Sequence, residues 1–347
     1  MADKVLIRAP NHLGDCLMAL PMINETREAY PGSTVTVMAP DHLTVLYESN
    51  PAIDHVLAIP TQHVHGLIGV IKIKDIIAPH AFDLGYILPP SFGAAAGFKL
   101  AGIKKRIGYI SDGRRLLLSK PLPLPTPLSS THRSETYFNL LRRATGTNPD
   151  FVRPKLFLNE QDTAGAEGIL SRFGVGESEP YAVLAVRSVA ESRRWGLSRY
   201  TDLAKRLISS YGLKVVLIGS LDDARDGDTV VSSAGARDVI NLAGKTGLRE
   251  SAAVISRARF FVGNDSGPAH LAAAVGIPLV VLSGADQPKE TSPLSPRKKL
   301  IYLDHLDCIS CVKNICPLKG EGRMRCMTEI TVDMVTDAID KLLRSVD

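Results

Sequence analysis

The chain has 347 residues, a formal net charge of +5 at pH 7 and a hydrophobic content of 45%. This length favours two domains, each large enough for its own core, and the composition is that of a globular protein. No apolar run reaches the roughly 18 residues of a membrane-spanning helix, and the opening residues MADKVLIRAP lack the apolar segment of a signal peptide. We therefore expect a cytoplasmic protein whose mild positive charge suits anionic ligands.

Short apolar runs alternate with helical patterns along the chain. The predicted strands are Val5–Ala9, Thr34–Ala39, Leu84–Leu88, Tyr181–Val186, Lys214–Ile218, Phe260–Val262 and Pro278–Ser283. The predicted helices include Gly14–Ala29, Ser198–Ser210, Leu248–Ala258 and Thr331–Leu343. Nearly continuous apolar strands separated by helices are typical of parallel sheets covered on both faces. The sequence therefore predicts an α/β protein with two doubly wound units.

The boundary between the two units is predicted in TGTNPDFVRPKLFLNE, residues 145–160, which combines glycine, asparagine and two prolines. We expect a first domain over residues 1–155 and a second over 156–330. A second proline-rich stretch, SKPLPLPTPLSSTHR at residues 119–133, predicts an extended loop inside the first domain.

The first candidate site is APNHLGDCLMALPMI, residues 9–23, where the first strand ends and a helix begins. Doubly wound folds bind ligands at such a junction, and Gly14 lets the backbone approach a ligand closely. Asp15 has two interpretations. It is either the N-cap of the helix or a carboxylate placed to take a proton from a hydroxyl group.

The second candidate site is GNDSGP, residues 263–268, between an apolar strand and a helix that carries His270. Free N–H groups at a helix start can hold a diphosphate, and Ser266 can donate to a phosphate oxygen. Asp265 would repel phosphate, so sugar hydroxyls or first-turn N–H groups suit it better. An N-cap followed by Pro268 explains Ser266 without any ligand, but not the density of polar residues.

The third candidate site is RSVAESRRWGLSRY, residues 187–200, which puts Arg193 and Arg194 beside Trp195. Two cations just past the end of a strand can neutralise the charge that builds on a departing diphosphate. Surface arginines are otherwise simply solvated, and that alternative stays open.

A basic segment at residues 99–115 has one acid, Asp112, and six cationic side chains. These are Lys99, Lys104, Lys105, Arg106, Arg114 and Arg115. Such a face either docks a phosphorylated acceptor embedded in a membrane or is merely solvated. Nucleic acid is a poorer partner, because aromatic residues make up only 5% of the chain and no stacking platform is visible.

Four cysteines form a C-x2-C-x4-C-x9-C pattern, and a fifth, Cys16, stands apart. The four are Cys308, Cys311, Cys316 and Cys326. Disulfides are rare in the cytoplasm, and four thiols at this density are typical of a tetrahedral metal site for Zn or Fe. Free thiols are the alternative. A metal here would hold a loop and take no part in catalysis.

Five stretches carry a resemblance that covers nearly the whole chain. They are PNHLGDCLMALP at 10–21, LPPSFGAAAGFKLAGIKKRIGY at 88–109, SRRW at 192–195, NLAGKTGLRESAAVISRA at 241–258 and GNDSGPAHLAAAVGIP at 263–278. Together they resemble glycosyltransferase family 9, the ADP-heptose:lipopolysaccharide heptosyltransferases, and most closely the heptosyltransferase II branch. The resemblance implies a GT-B fold, in which two Rossmann-like domains face a central cleft and the last helix, residues 331–347, packs back on the first domain.

The resemblance also implies roles for individual residues. Asp15 would be the general base, Arg193 would face the donor diphosphate, and Asp265 would contact the heptose hydroxyls. Further donor-binding residues would be Arg194, Lys245, Asn264, Ser266, Gly267 and His270. Acceptor-binding residues would be Asn11, His12, Gly14, Lys99, Lys105, Arg106 and Arg115. The family commonly has a Pro-Gly-Ala turn where this chain reads AVRS at residues 185–188, which leaves the roles of Arg187 and Ser188 open.

The predicted function is inverting transfer of heptose from ADP-heptose to the lipopolysaccharide inner core, with heptose II joined to heptose I, without a catalytic cofactor. Some autotransporter heptosyltransferases in the wider family carry an iron-bound cysteine finger, which favours metal at the four cysteines. We expect peripheral contact with the inner membrane and no nucleic-acid partner. Alternatives are a glycosyltransferase of the same fold with a protein or other glycan acceptor, a nucleotide-sugar epimerase, and a non-catalytic binding protein.

Overall fold

The computed structural model describes residues 2–126, 131–235 and 237–344. The chain divides into two compact units, Met1–Phe157 and Leu158–Asp347, so the division lies two residues after the predicted boundary. Each unit contains a six-stranded, fully parallel sheet covered by helices. The predicted α/β architecture is confirmed, although only seven of these twelve strands were predicted.

Unit 1 has the strand order β3-β2-β1-β4-β5-β6. Its strands are β1 Lys4–Arg8, β2 Thr34–Pro40, β3 His55–Ile59, β4 Leu84–Ile87, β5 Lys105–Tyr109 and β6 Lys120–Leu122. Its helices are α1 Leu13–Ala29, α2 Gly66–Ile77, α3 Phe92–Leu100 and α4 Arg133–Thr145. Helix α1 packs against α4 and α2 against α3, so two helical layers cover the sheet.

Unit 2 has the matching order β12-β11-β10-β7-β8-β9. Its strands are β7 Tyr181–Ala185, β8 Lys214–Leu217, β9 Val239–Asn241, β10 Phe260–Asn264, β11 Leu279–Ser283 and β12 Lys298–Tyr302. Its helices are α5 Glu160–Arg172, α6 Leu197–Tyr211, α7 Ala224–Ala234, α8 Leu248–Ser256, α9 Gly267–Ala274, α10 Pro288–Thr291, α11 Arg325–Thr328 and α12 Val332–Leu343.

Both sheets reverse their strand order beside the first strand, between β1 and β4 in unit 1 and between β7 and β10 in unit 2. In open α/β sheets this reversal leaves a crevice at the carboxyl ends of the strands, where ligands bind. The motifs at residues 9–23, 187–200 and 263–268 follow β1, β7 and β10, so each motif lies at such a position.

The proline-rich stretch at residues 119–133 contains strand β6, where the sequence predicts an extended loop. Strand β6 lies at the edge of its sheet, where the missing N–H of Pro121 costs no hydrogen bond to a further strand. Residues 127–130 of the same stretch lie outside the described residues.

Helix α12 corrects one expectation. Its buried residues Val335, Ile339 and Leu342 pack into the hydrophobic core of unit 2, and its neighbours are β11, β12 and α6. The apolar stripe therefore covers the sheet of its own unit, and the prediction that it packs on the first domain is wrong. Among the described residues, no helix is long and apolar enough to cross a bilayer.

Candidate active site

In unit 1, Asp15 lies in the first turn of α1, directly after the carboxyl end of β1. The N-cap of this helix is His12, so the interpretation of Asp15 as the N-cap is wrong. Its side chain is 20% exposed, and Oδ1 lies 3.2 Å from Nη1 of Arg133 at the start of α4. Asp15 is therefore a reachable carboxylate at the ligand-binding edge of the sheet.

Arg8, which is not among the residues predicted from the sequence, supports the loop before Asp15. Arg8 is almost fully buried at the end of β1, and it donates to Asn11 Oδ1 at 2.6 Å and to the Ala9 carbonyl. Burial lowers the pKa of Arg8 to about 10 and raises the pKa of the Cys16 thiol to about 12. A cation at the end of an otherwise apolar strand is the signal that could have identified this support.

The structure separates the predicted acceptor residues. Lys105 and Arg106 begin β5, and Lys99 lies in the last turn of α3. Because all strands of the sheet are parallel, the start of β5 lies at the edge opposite Asp15, roughly 15 Å away across a five-residue strand. The Arg106 guanidinium is also engaged by backbone carbonyls, including Leu117 O at 2.6 Å.

Of the other predicted acceptor residues, Asn11, His12 and Gly14 accompany Asp15 at the carboxyl edge. Arg115 is exposed in the turn Arg114–Leu117 between β5 and β6. The predicted acceptor residues therefore lie at two different edges of one sheet.

In unit 2, the loops after three adjacent strands, β7, β10 and β11, form a charged cluster. Arg193 follows β7, Asp265 follows β10 and Asp286 follows β11. Arg193 Nη2 lies 2.6 Å from Asp286 Oδ1, and the Ser283 hydroxyl donates to Asp265 Oδ2 at 3.1 Å. Asp286 is not among the residues predicted from the sequence.

Burial dominates the electrostatics of this cluster. Asp265 is 3% exposed and Asp286 6%. Burial, with a smaller contribution from Asp286, raises the pKa of Asp265 to about 7. Burial likewise raises the pKa of Asp286 to about 6, although Arg193 opposes this rise. Two acids of raised pKa beside one arginine are typical of a functional site.

Two polar atoms of the cluster are buried without a hydrogen-bond partner among the described residues. They are Asp286 Oδ2 and Arg193 Nε. Buried polar groups are normally satisfied, and each unsatisfied group costs on the order of 1–3 kcal/mol. An acceptor and a donor left unsatisfied on one ion pair indicate a site for a polar ligand.

Several predicted donor residues have structural contacts of their own. Asn264 is fully buried at the end of β10, and its Oδ1 accepts the Trp195 N–H at 3.1 Å. Arg194 donates to the carbonyls of Ser188 and Val189, which shapes its own loop.

Lys245 lies apart from this cluster. It follows β9, donates to Asn241 O at 2.8 Å and lies over the Phe173 ring. Strand β9 is two strands away from β7, so the structure does not bring Lys245 close to Arg193.

The remaining predicted donor residues surround the start of α9. Ser266 is the N-cap, Gly267 begins the helix, and His270 is buried in its first turn. The Ser266 hydroxyl donates to Asn264 O at 3.2 Å rather than to a helix N–H. The N–H groups of the first turn are therefore not capped by Ser266.

The turn that departs from the family pattern has a structural role. Arg187 Nη1 lies 2.7 Å from Asp226 Oδ2, and Nε lies 3.6 Å from Asp223 Oδ1. Ser188 is buried. Arg187 therefore pairs with acids after β8 rather than with the Asp265–Asp286 cluster.

The four clustered cysteines line one cavity of about 90 Å³. They are Cys308, Cys311, Cys316 and Cys326. Burial, with smaller contributions from the three other thiols, raises the pKa of Cys326 to about 11. Within the part of the chain that the structure describes, however, no three His, Cys, Asp or Glu side chains are arranged to hold a metal ion.

The cysteine-rich loop supports the charged cluster. Its backbone N–H groups at Ser310 and Val312 donate to Gly284 O at 2.9 Å and Ala285 O at 2.8 Å. The Ser310 hydroxyl donates to the Asp286 carbonyl at 2.6 Å, and Ser192 N donates to Asn314 O at 3.1 Å. Hydrogen bonds to this segment therefore hold both loops that carry the Arg193–Asp286 pair.

Comparison with known proteins supports the family assignment. Residues 70–321 match the glycosyltransferase family 9 (heptosyltransferase) family. Lipopolysaccharide heptosyltransferase 2 of Escherichia coli (strain K12) is 30% identical over 311 residues, which are 86% of this chain and 88% of that protein.

Solved structures of related proteins support the same family assignment. The structure of E. coli ADP-heptose lps heptosyltransferase II superposes with a TM-score of 0.82 at 25% identity and covers 99% of both chains. The iron-containing dodecameric glycosyltransferase TibC of enterotoxigenic E. coli H10407 shares the fold alone, with a TM-score of 0.63 and 17% identity over 100% of this chain and 77% of that one. The chain therefore belongs to glycosyltransferase family 9 and is a glycosyltransferase.

Proposed function

We propose that this protein transfers heptose from ADP-heptose to the inner core of lipopolysaccharide, joining heptose II to heptose I. The observation that carries the proposal is the ion pair between half-buried Arg193 and buried Asp286, beside buried Asp265, at the ligand-binding edge of a family 9 chain. The relatives named as heptosyltransferases supply the sugar and the acceptor class.

Unit 2 would bind the donor. Arg193 would turn its unsatisfied Nε towards the diphosphate, where negative charge grows as the glycosidic bond breaks. The first-turn N–H groups of α9 would add to this stabilisation. Asp265 would accept hydrogen bonds from heptose hydroxyls, and Asp286 would hold the arginine in position by its ion pair.

Unit 1 would supply the base. Asp15 takes the proton of the acceptor hydroxyl, whose oxygen forms a bond to the anomeric carbon while the bond from that carbon to ADP breaks. Attack opposite the leaving group inverts the anomeric centre. Arg133, 3.2 Å from Asp15, orients the carboxylate before the acceptor arrives.

The direct test is to incubate the protein with ADP-heptose and truncated lipopolysaccharides and to read the product mass. We expect the acceptor that ends in heptose I to gain one heptose and ADP to be released. Conversion of the donor in the absence of any acceptor would instead indicate an epimerase. Transfer to a protein in place of lipopolysaccharide would contradict the proposed acceptor.

We further infer that the acceptor is met at the cytoplasmic face of the inner membrane, because lipopolysaccharide is lipid-linked. Fractionation of cells that express the protein tests this inference. Recovery with membranes at low salt and release at high salt is expected of peripheral binding. Recovery in the supernatant at every salt concentration would contradict it.

A structural Zn or Fe ion at the four cysteines stays a prediction. Four thiols around one cavity support it, as does the iron in TibC, whereas the side-chain positions do not form a three-ligand group. Elemental analysis of protein purified without added metal tests it. A Zn or Fe content well below about one ion per protein chain would overturn the prediction, since the four clustered thiols form a single tetrahedral site.

A further inference from the structure

Helices α2 and α3 of unit 1 expose an apolar surface that the proposed chemistry does not use. We call it the α2–α3 face, and its large apolar side chains are Leu67, Ile68, Ile71, Phe92 and Leu100, with exposed fractions from 48% to 78%. The opposite sides of the two helices already pack in the core through Ile73, Ile77 and Phe98. The exposed residues are therefore not needed to hold the helices on the sheet.

The apolar residues of the face follow helical spacing. On α2, Leu67 and Ile71 are four residues apart and Ile68 lies beside them, so the three share one side of the helix. Single exposed apolar residues are ordinary, but five large ones on one packed pair of helices indicate an interaction surface.

Cations accompany this surface. Lys72 is exposed on the same side of α2, and Lys99 is exposed beside Leu100 at the end of α3. Lys104 and Lys105 follow α3 and are also exposed, whereas the exposed acids near the face are Asp75, Asp83 and Asp112. An apolar face with a cationic rim has the chemistry of a segment that lies in an anionic lipid interface.

The position of the face relates it to the acceptor. The N-terminal ends of α2 and α3 follow β3 and β4, so Leu67, Ile68 and Phe92 lie towards the carboxyl edge of the sheet, the edge that carries Asp15. The cationic ends of the face lie towards the other edge. This explains the basic residues that the site geometry excludes from the neighbourhood of Asp15.

We propose that the α2–α3 face docks the protein on an anionic lipid bilayer, with Leu67, Ile68, Ile71 and Phe92 inserted among the lipids and the lysines bound to headgroups. The proposal rests on the proposed function in one respect, because the lipid-linked acceptor is the reason for the enzyme to bind a membrane. A second copy of the chain suits the face less well, because a two-fold interface would place like charges against each other.

The test is co-sedimentation of the full-length protein with vesicles. One set contains phosphatidylcholine alone, and the other contains about one third phosphatidylglycerol, which supplies the anionic headgroups. The test variant combines Leu67→Ser, Ile68→Ser and Ile71→Ser. The matched control is Leu221→Ser, which removes an equally exposed leucine from unit 2.

We expect wild-type protein and the Leu221→Ser control to bind the anionic vesicles. The affinity of the triple variant should be at least about tenfold lower, because three apolar side chains that would insert into the lipid are lost. Circular dichroism and a thermal melt confirm that the variant is folded. Equal binding by the triple variant, or no binding by wild type, would overturn the proposal. So would a wild-type dimer that the triple substitution dissociates, since the face would then bind a second copy.

Parallel transfer assays separate this proposal from the proposed function. With a delipidated core oligosaccharide as acceptor, the triple variant should be as active as wild type, whereas its activity on vesicle-borne acceptor should fall. Vesicle binding without transfer to either acceptor would defeat the proposed function and leave the docking face intact. Unchanged transfer by the triple variant to the vesicle-borne acceptor would defeat the docking face alone.

Discussion

The two units share one strand order but place their acids in different surroundings. In unit 1 the Asp15 side chain is 20% exposed and pairs with one arginine at 3.2 Å. In unit 2 the Asp286 side chain is 7% exposed, pairs with Arg193 at 2.6 Å, and has Asp265 as a buried neighbour. The two units therefore differ in the burial of their acids rather than in their fold. An accessible carboxylate can contact an acceptor, whereas a buried cluster is preorganised to bind a donor.

The largest effect should come from the exposed acid of unit 1. Asp15→Asn keeps the size of the side chain and removes the proton acceptor, so kcat should fall by about 10³-fold. Steady-state transfer assays measure this loss. Binding of ADP, measured by calorimetry, should stay unchanged because the donor is assigned to unit 2.

The matched control is Glu28→Gln, which neutralises an exposed acid on the same helix α1. It should transfer heptose at the wild-type rate. Near-normal turnover of Asp15→Asn would remove the proposed base and with it the division of labour between the units.

The next effect should come from the cation of unit 2. Arg193→Ala removes the group that faces the growing charge, so kcat/KM for ADP-heptose should fall by about 10²–10³-fold. Asp286→Asn should lower kcat/KM by only about tenfold, because Arg193 remains and only its charged partner is lost. Arg206→Ala is the control, since Arg206 is a half-exposed arginine of α6. Equal kinetics of Arg193→Ala and the control would place donor binding elsewhere.

The buried acids should also make stability depend on pH. The pKa of Asp265 is about 7 in the folded protein against an ordinary value of 3.8. The folded state therefore binds the proton more tightly than the unfolded state, and this contribution to stability, complete below about pH 4, is lost as the pH rises through about 7.

Asp265→Asn removes that dependence, since asparagine carries no proton to lose. Between pH 5 and pH 8, the free energy of unfolding of the variant should rise relative to that of wild type by on the order of 2 kcal/mol. Urea unfolding at pH 5 and pH 8 measures this difference, with the exposed Asp304→Asn as control. A difference that is the same at both pH values would contradict the buried-acid description of unit 2.

The smallest effect should come from the loop that supports the cluster. Ser310→Ala removes the hydroxyl that donates to the Asp286 carbonyl at 2.6 Å and pairs with the Tyr302 hydroxyl at 2.7 Å. KM for ADP-heptose should therefore rise about two- to fivefold, as expected when the bond that holds the Asp286 backbone is lost. Ser256→Ala, which removes a hydroxyl bonded to Ala253 O within α8, should leave KM unchanged. Equal KM values would show that the cysteine-rich loop does not position Asp286.

Most of the strand framework could be predicted from the sequence, because apolar runs such as Tyr181–Ala185 are buried on both faces and contrast with their helical neighbours. The positions of Asp15 and Asp265 followed from the same runs, since each acid comes just after a strand. Asp286 also follows a strand, but its partner Arg193 lies far earlier in the chain. A lone acid in a loop gives no sign of such a pairing.

Charge and periodicity alone could not determine two other features. Lys105 and Arg106 form part of a basic segment, but only the bounds and direction of β5 show that they lie at the edge away from Asp15. The apolar stripe of α12 shows that the helix packs, but not which core it joins. Both questions depend on tertiary contacts between residues that are far apart in the chain.

The placement of α12 has a consequence for biosynthesis. The core of unit 2 combines Leu184 of β7 with Val335 and Ile339 of α12. This core therefore cannot be completed until the last residues of the unit have been synthesised. Unit 1 closes at Phe157 and can fold while the ribosome is still translating the remainder. During that interval the nascent chain carries a finished first half and a second half with an uncovered sheet, and this second half is the part that chaperones would have to protect.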